Sequence, residues 1–236
     1  MGSNTLQTSI NAVQGALGFW NPTIGTNFEP ALSAANMVQQ VMTSPPFRFP
    51  WNRNSLTFNT FATTQDYSVN VTDFGYMEIA SFRYPSAGKI LQLNVKNSTP
   101  IGESSDLQQP VTLGVQSINV GTSVMFRFLG VPDKVYSIIV WYQKFAPLMS
   151  DPTSTWVAPD YMSYIYNRGL LAHLYEARGD VRAQQEKVAF AAALISASEG
   201  LTDTEINIFL SQYLANPRAM ELLQLKTQQG VQARGM

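Results

Sequence analysis

The stretch Val135-Tyr136-Ser137-Ile138-Ile139-Val140-Trp141-Tyr142 decides how this chain is read. It is apolar on both faces. That composition predicts a central strand covered on both faces. Pro132-Asp133, just before it, is a turn signal that separates it from what precedes.

Working outward, a period of 2 holds over about residues 56–144. Tyr67, Val69 and Val71 alternate with polar residues, as do Ala80, Phe82 and Tyr84, then Leu91, Leu93 and Val95. The same alternation runs through Val111, Leu113 and Val115 and again through Val124, Phe126 and Phe128. Half-buried antiparallel strands are the simplest account. Ser86-Ala87-Gly88 and Gly121-Thr122-Ser123 mark turns between them.

On either side the period becomes 3.6. Leu6, Ile10, Val13 and Leu17 predict a helix over residues 4–17, stopped by Gly18 and Pro22. A second opens with Pro30 in its first turn and carries Ala31, Ala34, Val38 and Val41 on one stripe as far as Met42. The segment Ser44-Pro45-Pro46-Phe47-Arg48-Phe49-Pro50-Trp51 cannot continue it, because its prolines remove donors and push their predecessors toward extended backbone.

Beyond Pro147 and Asp151-Pro152 the helical rows Tyr161, Ile165, Gly169, Ala172 and Met162, Tyr166, Leu170, Leu174 predict a helix over residues 160–178 that Gly179 ends. Asp180 is the expected cap of the next helix, whose Ala-rich residues 188–197 favour close packing. Thr202-Asp203-Thr204-Glu205 has capping-box spacing and opens a third helix through Ile206, Phe209, Leu210 and Tyr213, stopped by Asn216-Pro217. Residues 218–236 are expected to form one more short helix around Leu222, Leu223 and Leu225, then a polar end. The expected fold class is thus α+β: a helical bundle domain from residues 1–54 and 148–236, with an inserted antiparallel β-sandwich or barrel domain over residues 55–147.

Composition excludes several chemistries. A chain of 236 residues can bury a core without staples, and it has no cysteine, so disulfides, iron–sulfur clusters, thiolate zinc sites and a Cys nucleophile are ruled out. His173 is the single histidine, whereas imidazole metal sites use two or three. Fifteen Lys and Arg against 16 Asp and Glu give a net charge of −1, so no global attraction to nucleic acid or anionic membrane is expected. No apolar run reaches the roughly 18 residues of a membrane span, and the first residues lack signal-peptide character, so a soluble, unexported protein is expected. Only 13% of residues are charged, about half the usual share, which suggests a surface largely covered by neighbouring subunits.

The candidate sites have plain structural accounts. His173 shares a helix face with Leu170, Leu174 and Ala177 and reads as a structural histidine. Asp151 with Asp160, Asp203 with Glu205, and Glu103 with Asp106 are close carboxylate pairs in loops or at helix starts, where capping and the helix dipole account for them. A glycosidase pair drawn from distant positions remains the third functional alternative. There is no nucleophile elbow, dinucleotide fingerprint or P-loop. Asn70-Val71-Thr72 and Asn97-Ser98-Thr99 fit the glycosylation pattern but read as strand and loop composition. Phe47, Phe49, Trp51, Trp141 and Trp156 lack accompanying cations and read as core or interface aromatics.

The order of landmarks resembles the head-to-tail adaptor proteins of tailed bacteriophages, including the tail tubular type. These landmarks are a helical start, the Pro-rich Trp51 region and Phe61-Ala62-Thr63-Thr64-Gln65-Asp66-Tyr67 at the entry to the β region. They continue with Gly130-Val131-Pro132-Asp133 before the strand ending Trp141-Tyr142, then Pro147-Leu148, Pro159-x-Tyr161 and a helix closed by Arg178-Gly179-Asp180. The resemblance implies a non-enzymatic virion protein of the neck or tail, assembled in the host cytoplasm, with no cofactor and no metal. It implies a homo-oligomeric ring, expected to be dodecameric, that docks on the portal protein and joins it to the next tail or nozzle component. Genomic DNA would pass through the channel without sequence-specific binding, and no membrane is involved. Residues 217–236 match the family's portal-reaching segment, making Leu222, Leu223, Leu225, Val231 and Arg234 the expected partner-binding residues. The alternative function is a carbohydrate- or receptor-binding β module on a helical stalk, with Trp51, Trp141 or Trp156 stacking on sugar.

Overall fold

A computed structural model of the chain describes residues 3–23, 28–84, 88–97 and 101–214. The residues gather into two compact units, Met1–Trp51 with Pro147–Met236, and Asn52–Ala146.

In the first unit, α1 spans Leu6–Leu17 and α2 spans Ala31–Thr43. Helix α3 spans Ser163–Arg178, α4 Ala183–Ala197 and α5 Asp203–Leu214. Thr5 caps α1 by accepting the Thr8 N–H at 3.2 Å. Leu6, Ile10, Val13 and Leu17 are buried, as their spacing predicts. Helix α3 is the centre: α1, α2 and α4 all pack on it. Its end is a Schellman motif, with Gly179 left-handed at φ 72°, its N–H on Glu176 O, and the Asp180 N–H on Tyr175 O at 2.8 Å.

Helix packing alone does not make this core. Met149, Trp156, Ala158 and Met162, from the irregular stretch between β9 of the second unit and α3, are buried in it. Two amides on α2 pin that stretch. Asn36 pairs with both backbone groups of Met149 (2.7 and 3.1 Å), and Gln39 donates to Pro147 O and accepts the Val157 N–H. In turn Ser154 and Pro152 carbonyls receive the first N–H groups of α1, each at 3.0 Å.

The second unit is a sheet. Its strands are β1 Arg53–Asn59, β2 Asp66–Asn70, β3 Phe74–Arg83, β4 Ile90–Lys96 and β5 Leu107–Gln108. They continue with β6 Thr112–Asn119, β7 Ser123–Phe128, β8 Val131–Pro132 and β9 Ser137–Lys144. Seven of them order as β1-β9-β3-β4-β6-β7-β2, while β5 and β8 form a separate parallel pair. All ladders of the large sheet are antiparallel except β4–β6, which is parallel with Asn94 opposite Thr112. The two edge strands β1 and β2 approach through side chains: Phe58 lies 5.4 Å from the Tyr67 ring and stacks on Phe126 at 5.6 Å. Tyr67 fastens the connection between them by accepting the Phe61 N–H and donating to Thr64 O at 2.7 Å.

These findings correct the expected helical bundle with an inserted antiparallel β domain. The chain is a mixed α/β fold, with five α-helices among the described residues and a seven-stranded mixed sheet nearly closed into a barrel. Alternation reports which residues are half-buried but not which way a neighbouring strand runs. The parallel β4–β6 pair sets Asn94, Val95 and Lys96 beside Thr112, Leu113 and Gly114, a direction that the alternation of either strand does not announce.

A second correction concerns β9. It pairs with β1 and β3, but its burial alternates: Ile138, Val140 and Tyr142 face the core, and Trp141 is 42% exposed. At the other parity Ile139 is half-buried and Trp141 exposed, so that side is not the second face of a doubly covered strand.

Candidate functional site

Most of the polar groups singled out by sequence are used inside the fold. Asp160 accepts from Ser3 Oγ (2.7 Å) and from the Ser3 and Asn4 N–H groups, which hold its carboxyl below the usual range. Asp151 is lowered by the hydroxyls of Thr153 and Ser150 within its own turn. Asp160 stays ionised as an acceptor for the N-terminal segment and Asp151 as an acceptor within its own turn, so neither is poised as a general acid. Glu205 completes the predicted capping box, accepting the Thr202 N–H at 2.9 Å while its own N–H reaches Thr202 Oγ1, and it also pairs with Arg48 at 2.5 Å. Glu103 and Asp106 are exposed. No group of three or more His, Asp or Glu able to hold a metal occurs among the described residues.

Asp180 departs from expectation. Its carboxylate binds the Arg182 backbone N–H and guanidinium, so it closes a local turn, and no side chain caps α4. The segment from Gly179 must turn before α4 can start, which displaces the helix beyond the acid's reach.

The four tryptophans occupy different settings. Trp156 is buried, stacked on Tyr166 at 4.5 Å with its Nε1–H on Ser9 Oγ, which removes it as a sugar platform. Trp51 stacks on Phe49 at 5.3 Å and is partly buried, as is Trp20. Only Trp141 presents a substantially exposed indole. Asn97 is likewise occupied: its amide pairs with both backbone groups of Met77 (2.8 and 2.7 Å).

A groove of about 390 Å³ lies between α2 and α5, lined by Met37, Gln40, Val41, Ser44, Pro45, Phe209, Gln212 and Tyr213. Two of its aromatics join a chain that runs into the core: Phe209 stacks on Tyr213 at 5.3 Å and meets the buried Phe47 edge-on at 4.7 Å. Behind Tyr213 stands His173, buried at 5% exposure, with Nε2 3.3 Å from Tyr213 Oη and Nδ1 3.3 Å from Glu176 Oε2. Burial holds the His173 imidazole below its ordinary pKa, opposed by Glu176. Burial also pushes the Tyr213 phenol up. Glu176 is shared with Lys187 of α4 at 2.5 Å.

The helical pattern named Val41, Phe209 and Tyr213 but could not bring them together, because α2 and α5 lie far apart in sequence. Met37 sits off the buried stripe of α2 and is 48% exposed, the one local sign that this side of the helix was an apolar surface. The expected partner-binding residues Leu222, Leu223, Leu225, Val231 and Arg234 lie outside the described residues.

The chain matches no protein-family model and no curated protein.

Proposed function

We propose that this chain is a structural, non-enzymatic virion protein, a ring-forming head-to-tail adaptor that docks on a portal and joins it to the next tail component around the DNA channel. The order of sequence landmarks is what carries this reading. The surface supports it: Phe19, Phe61, Tyr161 and Val181 are each more than 60% exposed on a chain with only 13% charged residues. Exposed apolar side chains on so weakly charged a surface suit repeated burial against neighbouring copies. Heterologous contacts of that kind close into rings when the rotation permits. A near-neutral chain also suits a channel that passes DNA without holding it.

The test is mass by light scattering of the purified protein, alone and mixed with portal rings from the same source. A stoichiometric complex larger than the portal is expected. Failure to associate, with residues 217–236 intact, would overturn the adaptor reading.

A second reading, a carbohydrate-binding β module, now rests on Trp141 alone, since it is the tryptophan left substantially exposed. Quenching of its fluorescence by a saccharide, lost in Trp141→Ser, would favour that reading.

A further inference from the structure

The α2–α5 groove has one wall residue in hydrogen-bond contact with a titratable group. Tyr213 lines the groove in the last turn of α5, and its hydroxyl is tied through the wall to the His173 imidazole on α3, with ring centroids 6.2 Å apart. We propose that His173 is an acid-sensitive clasp on the last turn of α5: neutral, it holds Tyr213 against α3, and protonated, it releases that turn and reshapes the groove.

The hydrogen bonds give the mechanism. In the neutral ring Nδ1–H donates to Glu176 Oε2 and Nε2 accepts the Tyr213 hydroxyl proton. Protonation places a hydrogen on Nε2, so that the Tyr213 O–H no longer has its acceptor there. His173 is that hydroxyl's hydrogen-bond partner among the described residues. The new charge would also lie on a side chain only 4% exposed.

The charged groups around the ring do not cancel that cost. Glu176 on α3 favours the cation, but it is half exposed and already neutralised by Lys187 of α4, which opposes it. Tyr213 is the titratable group that α5 presents to the ring, and α1 and α2 carry no charged residue. Arg168 and Glu186 pair with each other, and Glu205 pairs with Arg48.

The sign follows from linkage. With the folded histidine pulled below the ordinary value of about 6.5, the contribution is complete above that value and is lost as pH falls toward the folded pKa. The clasp is therefore closed at neutral pH and opens in acid. It goes beyond the adaptor reading and does not depend on it.

The 236-residue chain has a single histidine, so one imidazole C2–H resonance reports the titration directly. Its midpoint is expected below 6.5, and amide protection over Phe209–Leu214, corrected for intrinsic exchange, should fall across the same interval. The fall should be about tenfold for each unit separating the folded and ordinary pKa. In His173→Gln, which stays neutral, protection should not change with pH. In Tyr213→Phe the midpoint should rise, because the neutral ring has lost its donor. A midpoint at or above 6.5, an equal pH response in His173→Gln, or an unmoved midpoint in Tyr213→Phe would overturn the proposal. Should His173→Gln not fold, the wild-type midpoint and Tyr213→Phe decide it.

Discussion

Gly169 of α3 meets the ring of Phe190 of α4 so closely that a Cβ on the glycine would stand 2.8 Å from Phe190 Cε2 and 2.9 Å from Val38 Cγ2. Three helices thus converge where one of them has no side chain. Gly169→Ala should destabilise the protein by about 1–3 kcal/mol, the usual cost of overpacking, despite alanine's better helix propensity. A lower urea midpoint with an unchanged slope would show it. An unchanged or higher midpoint would mean the convergence has room to relax.

In the sheet, Arg53 of β1 grips the buried Glu78 of β3 with two bonds, at 2.5 and 2.9 Å, and Gln143 of β9 donates to the same carboxylate at 3.0 Å. Glu78→Ala deprives a guanidinium and an amide of one acceptor at once. Since the Arg53 side chain keeps 29% exposure, the loss should be roughly 1–3 kcal/mol, less than for a fully buried pair. Thermal unfolding would measure it, and a variant as stable as the parent would refute it.

Asp180 should titrate at about 2, held down first by the Arg182 guanidinium and then by the Arg182 N–H. Its folded pKa lies below the ordinary 3.8, so its contribution is present above that value and is lost as pH falls toward 2. In Arg182→Ala the side-chain bond goes and the backbone bond remains, so the pKa should rise part of the way to 3.8. A carboxylate NMR titration of both proteins checks this, and identical midpoints would rule it out.

Much of the local structure was legible. Thr202 and Glu205 form the capping box that their spacing announces, Gly179 ends α3, and the alternating residues lie in β2, β3, β4, β6 and β7 except Val71, Tyr84 and Val111, each one residue beyond a strand end. Each depends on interactions within a few residues, which periodicity and cap chemistry record directly. The register shifts of β3 against β9 were not legible, although Gly75 marks one of them: a Cβ there would lie 2.7 Å from Gln143 O. A glycine inside a strand signals a close approach without saying to what. The pairing of Asn36 and Gln39 was hidden for a similar reason, since their partners are backbone groups more than a hundred residues away.

The sequence by itself determined which stretches carry helical and which carry strand periodicity, the Gly179 stop of α3 and the Thr202–Glu205 cap of α5, and that thiol and multi-histidine metal chemistry lie outside this chain's means. Tertiary structure alone decided the parallel β4–β6 pairing, the approach of β1 to β2, the one-sided burial of β9, and the meeting of His173 with Tyr213 beside the groove. The physical reason is range. Caps and periodicity are written in neighbouring residues, whereas strand direction and a shared hydrogen bond between distant helices depend on which folded surfaces gain most by excluding water together.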